Sequence, residues 1–339
     1  MVACGENFTI LLTIDGHVWN CGQGSRGRLG HGDHVSRSDL TTIDPVRFGG
    51  GLITMIAAGC DHCMAQVAGG GALYTWGENL SGQLGHSVED DCVVVPVALH
   101  AMTFGSVDIA SFDAGYEYCM VVTLVGLVYA TGRNVRGQLG LGHMTNSETF
   151  QRVGGTDPFQ AQGVRMVSCG IQHSLFITND NALWGCGLVL YDVNPLYTSA
   201  IPVSHIYPIR ITIDPANVAF KVVAAGWHHS AAITCSGDLY TWGHDVSYMA
   251  YARQGDVPVL YNYTGDFAAP QHMQPIAFSN LRLGQWHALQ NQRAVAIMMS
   301  SHMRLASNSF LKNFDDDLLR MIIRHTCFQP RGDTGSALP

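Results

Sequence analysis

Cys60-Asp61-His62-Cys63 crowds two thiols, a carboxylate and an imidazole into four residues. That spacing is half of a structural zinc site, which needs four ligands. No second Cys-x-x-Cys occurs to complete it. The other cysteines fall into step instead. Cys4 and Cys169 each precede one kind of recurring glycine, Cys21 and Cys186 precede another, and Cys63 and Cys119 lie four residues beyond the first kind. Thiols that recur in register are read as small buried hydrophobes, and no metal is expected. The sixteen histidines invite a catalytic reading. Yet His62, His173, His229 and His287 all stand three residues after a recurring glycine, with Phe8 and Tyr118 in the same place elsewhere. A residue repeated unit after unit cannot be one unique general base. Its expected work is to hydrogen-bond a neighbouring backbone and pin a turn. No glycine-rich phosphate loop opens a helix, and no Ser–His–Asp order can be argued. Neither a catalytic residue nor a cofactor is expected.

The elements that carry these residues are set by the 38 glycines, which are periodic. A small residue followed by glycine recurs at Gly5, Gly59, Gly115, Gly170, Gly226 and Gly284, every 54–58 residues. Eleven residues beyond these anchors stand Gly16, Gly70, Gly126, Asn181 and Gly237, residue types suited to hairpin turns. A further glycine follows at Gly22, Gly77, Gly132, Gly187 and Gly243, with Trp or Tyr beside it in most units. Phe8–Thr13 and Ser230–Thr234 read as strands flanking the hairpin turn, being β-branched, apolar and short. A third strand per unit is expected near Pro45-Val46, Pro96-Val97, Pro208-Ile209 and Pro275-Ile276, where proline suits a sheet edge. Units of about 50 residues, each a small antiparallel sheet, indicate an all-β fold, a β-propeller in preference to a β-solenoid.

Ala57-Ala-Gly-Cys-Asp-His62, Leu73-Tyr-Thr-Trp-Gly77-Glu-Asn79 and Gly82-Gln-Leu-Gly85 together resemble the repeat of the regulator of chromosome condensation family. Gly226-Trp-His-His-Ser230 with Leu239-Tyr-Thr-Trp-Gly243, and Asn134 to Gly142, show the same likeness. It spans residues 1 to about 300 and implies antiparallel blades in a ring. The family's ring has seven blades, whereas six anchors occur here, so six blades or a shortened seven are expected. Units four and five replace the Gly-Gln-Leu-Gly loop with Leu188–Pro195 and Asp245–Tyr251. Beyond the propeller, residues 301–328 read as a helical segment, with Leu311, Phe314, Leu318, Leu319, Met321 and Ile322 on one face. That apolar face is expected to pack near the junction of blades one and six, where Met1–Cys4 would lie beside the sixth unit. Residues 329–339 read as a flexible tail.

In the family, the two residues after each anchor line one face of the disc around the channel mouth. Carried over, the resemblance assigns Glu6-Asn7, Cys60-Asp61, Tyr116-Glu117, Ile171-Gln172, Trp227-His228 and Gln285-Trp286 to a partner-binding face. Acids with two tryptophans are the composition of a protein-binding hot spot. The favoured expectation is a non-enzymatic scaffold that docks a protein on that face. The alternative is nucleotide exchange on a Ran-like small GTPase, with Asp61 and Glu117 disturbing the bound magnesium and phosphates. A light sensor is a third reading, weakened because no arginine occupies a turn pair. The 339 residues are 47 % hydrophobic and only 13 % charged, with a net charge of −8. That balance gives no electrostatic support for direct nucleic-acid binding. No run is long enough to span a membrane and no signal peptide is visible, so a reducing cytoplasmic or nuclear setting is expected.

Overall fold

The computed structural model describes residues 1–69, 72–86, 90–99, 103–105, 108–154, 157–192, 201–212, 218–226, 229–236, 239–243 and 267–273. Within them the chain folds into five four-stranded antiparallel sheets, the blades of a β-propeller. Blade one is β1 (Val2–Cys4), β2 (Phe8–Leu12), β3 (Val18–Gly22) and β4 (Arg37–Thr42). Blade two is β5 (Ile53–Ala58), β6 (His62–Val67), β7 (Leu73–Glu78) and β8 (Cys92–Ala98). Blade three is β9 (Ile109–Ala114), β10 (Tyr118–Thr123), β11 (Val128–Gly132) and β12 (Ser147–Arg152). Blade four is β13 (Val164–Cys169), β14 (His173–Thr178), β15 (Leu183–Asp192) and β16 (Ile201–Arg210), preceded by the short helix Asp157–Gln162. Blade five is β17 (Phe220–Ala225), β18 (His229–Thr234), β19 (Leu239–Gly243) and β20 (Phe267–Met273). The sixth anchor, Gly284, and the segments 301–328 and 329–339 lie outside the described residues.

Each blade has four strands rather than three. The additional one is the innermost strand, which ends on the small residues just before the anchor glycine. Val2–Cys4 is such a strand: it pairs with Phe8–Leu12 at Val2↔Leu11 and Cys4↔Thr9, as the inner edge of its own blade. Pro96 and Pro208 do sit in outer strands. Pro45 does not; Pro45–Phe48 is a 3-10 turn capped by Asp44, whose side chain accepts from the Val46 N–H at 3.0 Å. Pro275 lies outside the described residues.

The cores lie between neighbouring blades. Phe8, Ile10, Leu29, Phe48, Cys63 and Trp76 pack blade one on blade two, and Tyr118, Leu139, Phe159, Phe176 and Trp184 pack three on four. Polar ties cross the same seams. The Gly27-Arg28-Leu29-Gly30 loop of blade one offers the Arg28 carbonyl to Trp76 Nε1 (3.1 Å) and to Cys63 Sγ (3.6 Å). In blade four, where the loop is missing, β15 runs on past Gly187 and the Val189 carbonyl accepts from Trp242 Nε1 at 3.1 Å. A longer strand thus supplies the same acceptor. The recurring cysteines Cys21, Cys63, Cys119, Cys169 and Cys186 are buried and reduced.

Candidate functional site

Each anchor glycine closes a tight turn between the first two strands. Its N–H donates to the carbonyl three residues on: Gly5 to Phe8, Gly59 to His62, Gly115 to Tyr118 and Gly170 to His173, at 2.9–3.0 Å. Only glycine fits, because the ring at the third position lies against it. A Cβ on Gly59 would stand 2.1 Å from His62 Cε1 and 2.4 Å from the Gly115 carbonyl oxygen of the next blade. The second residue of each turn accepts from the chain as it leaves the third strand: Asn7 from Gln23, Asp61 from Glu78, Glu117 from Arg133 and Gln172 from Leu188. The turns are also linked around the ring, Glu6 N–H to the Cys60 carbonyl, Cys60 to Tyr116 and Tyr116 to Gly170, at 3.0–3.2 Å.

The side chains at the third position reach across to the next blade instead of pinning their own turn. His62 Nε2 lies 3.2 Å from Cys119 Sγ and His173 Nε2 lies 3.0 Å from Ser230 Oγ. Tyr118 donates its hydroxyl to the His173 carbonyl at 2.6 Å. His62 is fully buried, and burial holds its pKa down near 4, with the Tyr118 backbone opposing. It is neutral at physiological pH and sealed from solvent. For His229 the backbone opens β18, and His287 lies outside the described residues.

These turns surround a cavity of about 200 Å³ lined by small residues, among them Gly5, Ala58, Gly59, Ala114, Gly115 and Gly170. At its lip, Glu6, Cys60 and Tyr116 stand on blades one, two and three, and Ile171 on blade four. Cys60 Sγ donates to Glu6 Oε2 at 3.2 Å and also contacts the Tyr116 side chain. Burial and the nearby Asp61 push the Cys60 thiol far up, so it stays protonated. Tyr116 is raised to about 12, first by Cys60, then by burial and Glu6. Ligand atoms of Glu6, Cys60 and Asp61 all lie within 4.8 Å of one another. The Cys63 thiol instead points into the core toward Arg28, so the Cys-x-x-Cys pair does not converge.

Three ion pairs flank this face, and their arginines are residues the sequence pattern did not single out. Arg28, buried in the blade-one loop, approaches Asp61 of blade two at 2.5 Å, a charge–charge contact without well-aligned hydrogen-bond geometry. Burial raises the Asp61 pKa while Arg28 opposes the shift. Arg26 pairs with the buried Glu78, and Arg133 with Glu117 at 2.7 Å. Ser81, just before the Gly82-Gln-Leu-Gly85 loop of blade two, donates to Glu117 at 3.2 Å. The inner wall contains another residue the pattern missed. Asp113, buried in β9, accepts from the Cys169 N–H at 2.9 Å and from Ser168 Oγ at 3.4 Å. Of the remaining expected face residues, Asn7 is exposed and Gln172 half-buried. Trp227, His228, Gln285 and Trp286 lie outside the described residues.

Similarity to known proteins follows the same units. The family model for the Regulator of chromosome condensation (RCC1) repeat matches residues 15–66, 70–122 and 125–177, and a second model of that repeat matches 220–248. The Ultraviolet-B receptor UVR8 of Arabidopsis thaliana is 30% identical over 243 residues, covering 72% of this chain and 52% of the receptor. Human E3 ubiquitin-protein ligase HERC2 is 28% identical over 242 residues, covering 71% of this chain and 5% of the ligase. The chain thus spans about half the length of the plant receptor and a small part of the ligase. Among solved structures, human WBSCR16 superposes with a TM-score of 0.65 at 21% identity, over 81% of this chain and 66% of that one. Yeast RCC1 (Prp20), solved with Kap60, gives a TM-score of 0.65 at 21% identity, over 82% and 61%. Each of the three segments matched by the first model runs from the two outer strands of one blade into the two inner strands of the next, so that repeat is the seam between blades. Those matches cover more than half of the sequence: the chain belongs to the regulator of chromosome condensation (RCC1) repeat family.

Proposed function

We propose that this propeller is a non-enzymatic docking module that binds a protein partner through the face carrying the anchor turns. The observation that supports it is the lip itself. Glu6, Tyr116, Glu117 and Gln172 reach solvent from the turns of blades one, three and four, on a backbone locked by turn-to-turn hydrogen bonds. A rigid surface offering charge and aromatic area binds at low entropic cost. In the sequence, Trp227 and Trp286 fall among the two residues that follow the anchors of units five and six, and we count them as aromatic contacts for the partner.

Nucleotide exchange on a Ran-like GTPase is supported less well. The acids it would use are already engaged, Asp61 by Arg28 and Glu117 by Arg133. A carboxylate held by a guanidinium is a poor competitor for magnesium or phosphate contacts. Fluorescent-nucleotide release from Ran should show no acceleration at micromolar propeller.

The docking reading is tested by proximity labelling in cells, in a nuclear or cytoplasmic setting. The triple variant Tyr116→Ala, Trp227→Ala, Trp286→Ala should lose partners that the parent protein labels. The variant Asp180→Arg, on the opposite end of the blades, should keep them. Retention of every partner by the triple variant would refute this face as the docking surface.

A further inference from the structure

The lip of the cavity is two-sided. Blades one to three present polar groups, the Glu6 carboxylate, the Cys60 thiol and the Tyr116 hydroxyl; blades four and five present Ile171, Ala225 and Gly226. The charges that face this point are unequal in their compensation. Asp61 is paired with Arg28, Glu117 with Arg133 and Glu78 with Arg26. Glu6 enters no ion pair among the described residues, and its contact is the neutral Cys60 thiol. Cys60 and Tyr116 stay protonated beside it, since both pKa values are raised. Among the described residues the lip therefore carries one negative charge without an ion-pair partner, with an aliphatic wall on blades four and five, over a cavity of about 200 Å³.

We propose that the cavity lip binds a lysine side chain of the partner protein, its ammonium against the Glu6 carboxylate and its methylene stem against Ile171 and Ala225. This rests on the docking reading and names the chemistry of the residue that enters. A lysine suits the lip because its charged head and apolar stem are separate parts of one unbranched chain. The Tyr116 ring and hydroxyl add a π face and an oxygen acceptor next to the carboxylate. The small lining residues leave the backbone unshielded by bulk, so the stem meets Gly and Ala rather than a competing side chain.

The test uses the full chain and fluorescein-labelled Gly/Ser decapeptides bearing one central lysine, acetyl-lysine, norleucine or glutamate. Fluorescence anisotropy at low salt should show binding of the lysine peptide. The acetyl-lysine and norleucine peptides should bind at least tenfold more weakly, and added salt should weaken the lysine peptide. Glu6→Gln should cut affinity for the lysine peptide at least fivefold while the melting temperature stays unchanged, because Glu6 is exposed. The inference is overturned if no peptide binds, if norleucine matches lysine, or if Glu6→Gln leaves the affinity intact. The peptide comparison on the parent protein stands even if the variant misfolds. Should the cellular partners survive Glu6→Gln yet disappear from the Tyr116/Trp227/Trp286 variant, the docking face holds and the lysine site alone is wrong.

Discussion

At the scale of single residues, buried polar groups decide how this protein responds to acid and to mutation. His62 titrates near pH 4 in the fold, against 6.5 when exposed, because burial penalises its charged form. Above pH 6.5 neither state binds the proton. As pH falls through 6.5 toward 4, the unfolded chain takes it up and the folded chain does not, so stability declines. By pH 5 this one group should remove about 2 kcal/mol. His31, held near 4 by burial and then by Arg37, acts in the same direction. Urea denaturation at pH 7 and pH 5 checks this. His62→Phe, which gives blade two the ring that Phe8 gives blade one, should flatten the pH dependence by about 2 kcal/mol; an unchanged slope would contradict it. Arg28 tests the opposite charge. It is 4% exposed and faces Asp61, so Arg28→Met should cost about 3 kcal/mol by stranding a carboxylate. Adding Asp61→Asn should recover part of that loss in thermal melts. The turn pairs were legible in the sequence because they follow each anchor glycine at a fixed offset. Arg26, Arg28 and Arg133 were not, because they reach these acids from other loops, two of them from the preceding blade.

Among elements, the seams matter more than the sheets. The Gly-x-Leu-Gly loops of blades one to three each lean on the outer strand of the next blade. A Cβ on Gly27, Gly82 or Gly137 would stand within 2.7, 2.5 or 2.9 Å of the Cα of Val94, Glu148 or Ile206. Their φ angles of 70°, 77° and 76° add a second reason for glycine. Gly82→Ala should therefore cost about 2–3 kcal/mol, combining left-handed strain with a backbone clash. The exposed substitution Leu80→Ala in the same loop should cost under about 0.5 kcal/mol. Equal losses in a denaturant titration would mean that the loop does not bear on its neighbour. These loops also show what the sequence hides. Their glycines and the Trp-Gly strand ends are periodic and could be read directly. The innermost strands could not, because strands such as β5 and β13 end on small residues buried on both faces and lack alternation. Outer strands such as Arg37–Thr42 and Ser147–Arg152 fail for the reverse reason, since they are polar and mostly exposed.

For the whole molecule, a repeat that is itself a seam makes each blade depend on the next. Stability of such an array is a sum of units and nearest-neighbour interfaces, and the terminal units require cover. In every described blade the inner strand is an edge of its sheet, and around blade one Ile14, Val46 and Leu52 lie exposed where the chain turns between strands and blades. Exposed edges and apolar surface favour pairing with other chains unless something covers them. The sequence offers one amphipathic segment for that work, Phe310 to Ile323, which lies outside the described residues. Burying about four large side chains contributes on the order of 8 kcal/mol before the entropy of ordering the segment is subtracted. A net gain of about 2–3 kcal/mol would remain a large fraction of a domain's stability. Deletion of residues 305–339 should then lower the melting temperature by about 5 °C and promote aggregation on heating. Scanning calorimetry with light scattering reads both. If the shortened chain melts at the parent temperature and stays dispersed, the apolar stripe is not cover for the propeller. It would instead be an element that seats in a partner's groove, and partners should then be lost from the truncated protein even with the anchor-turn face intact.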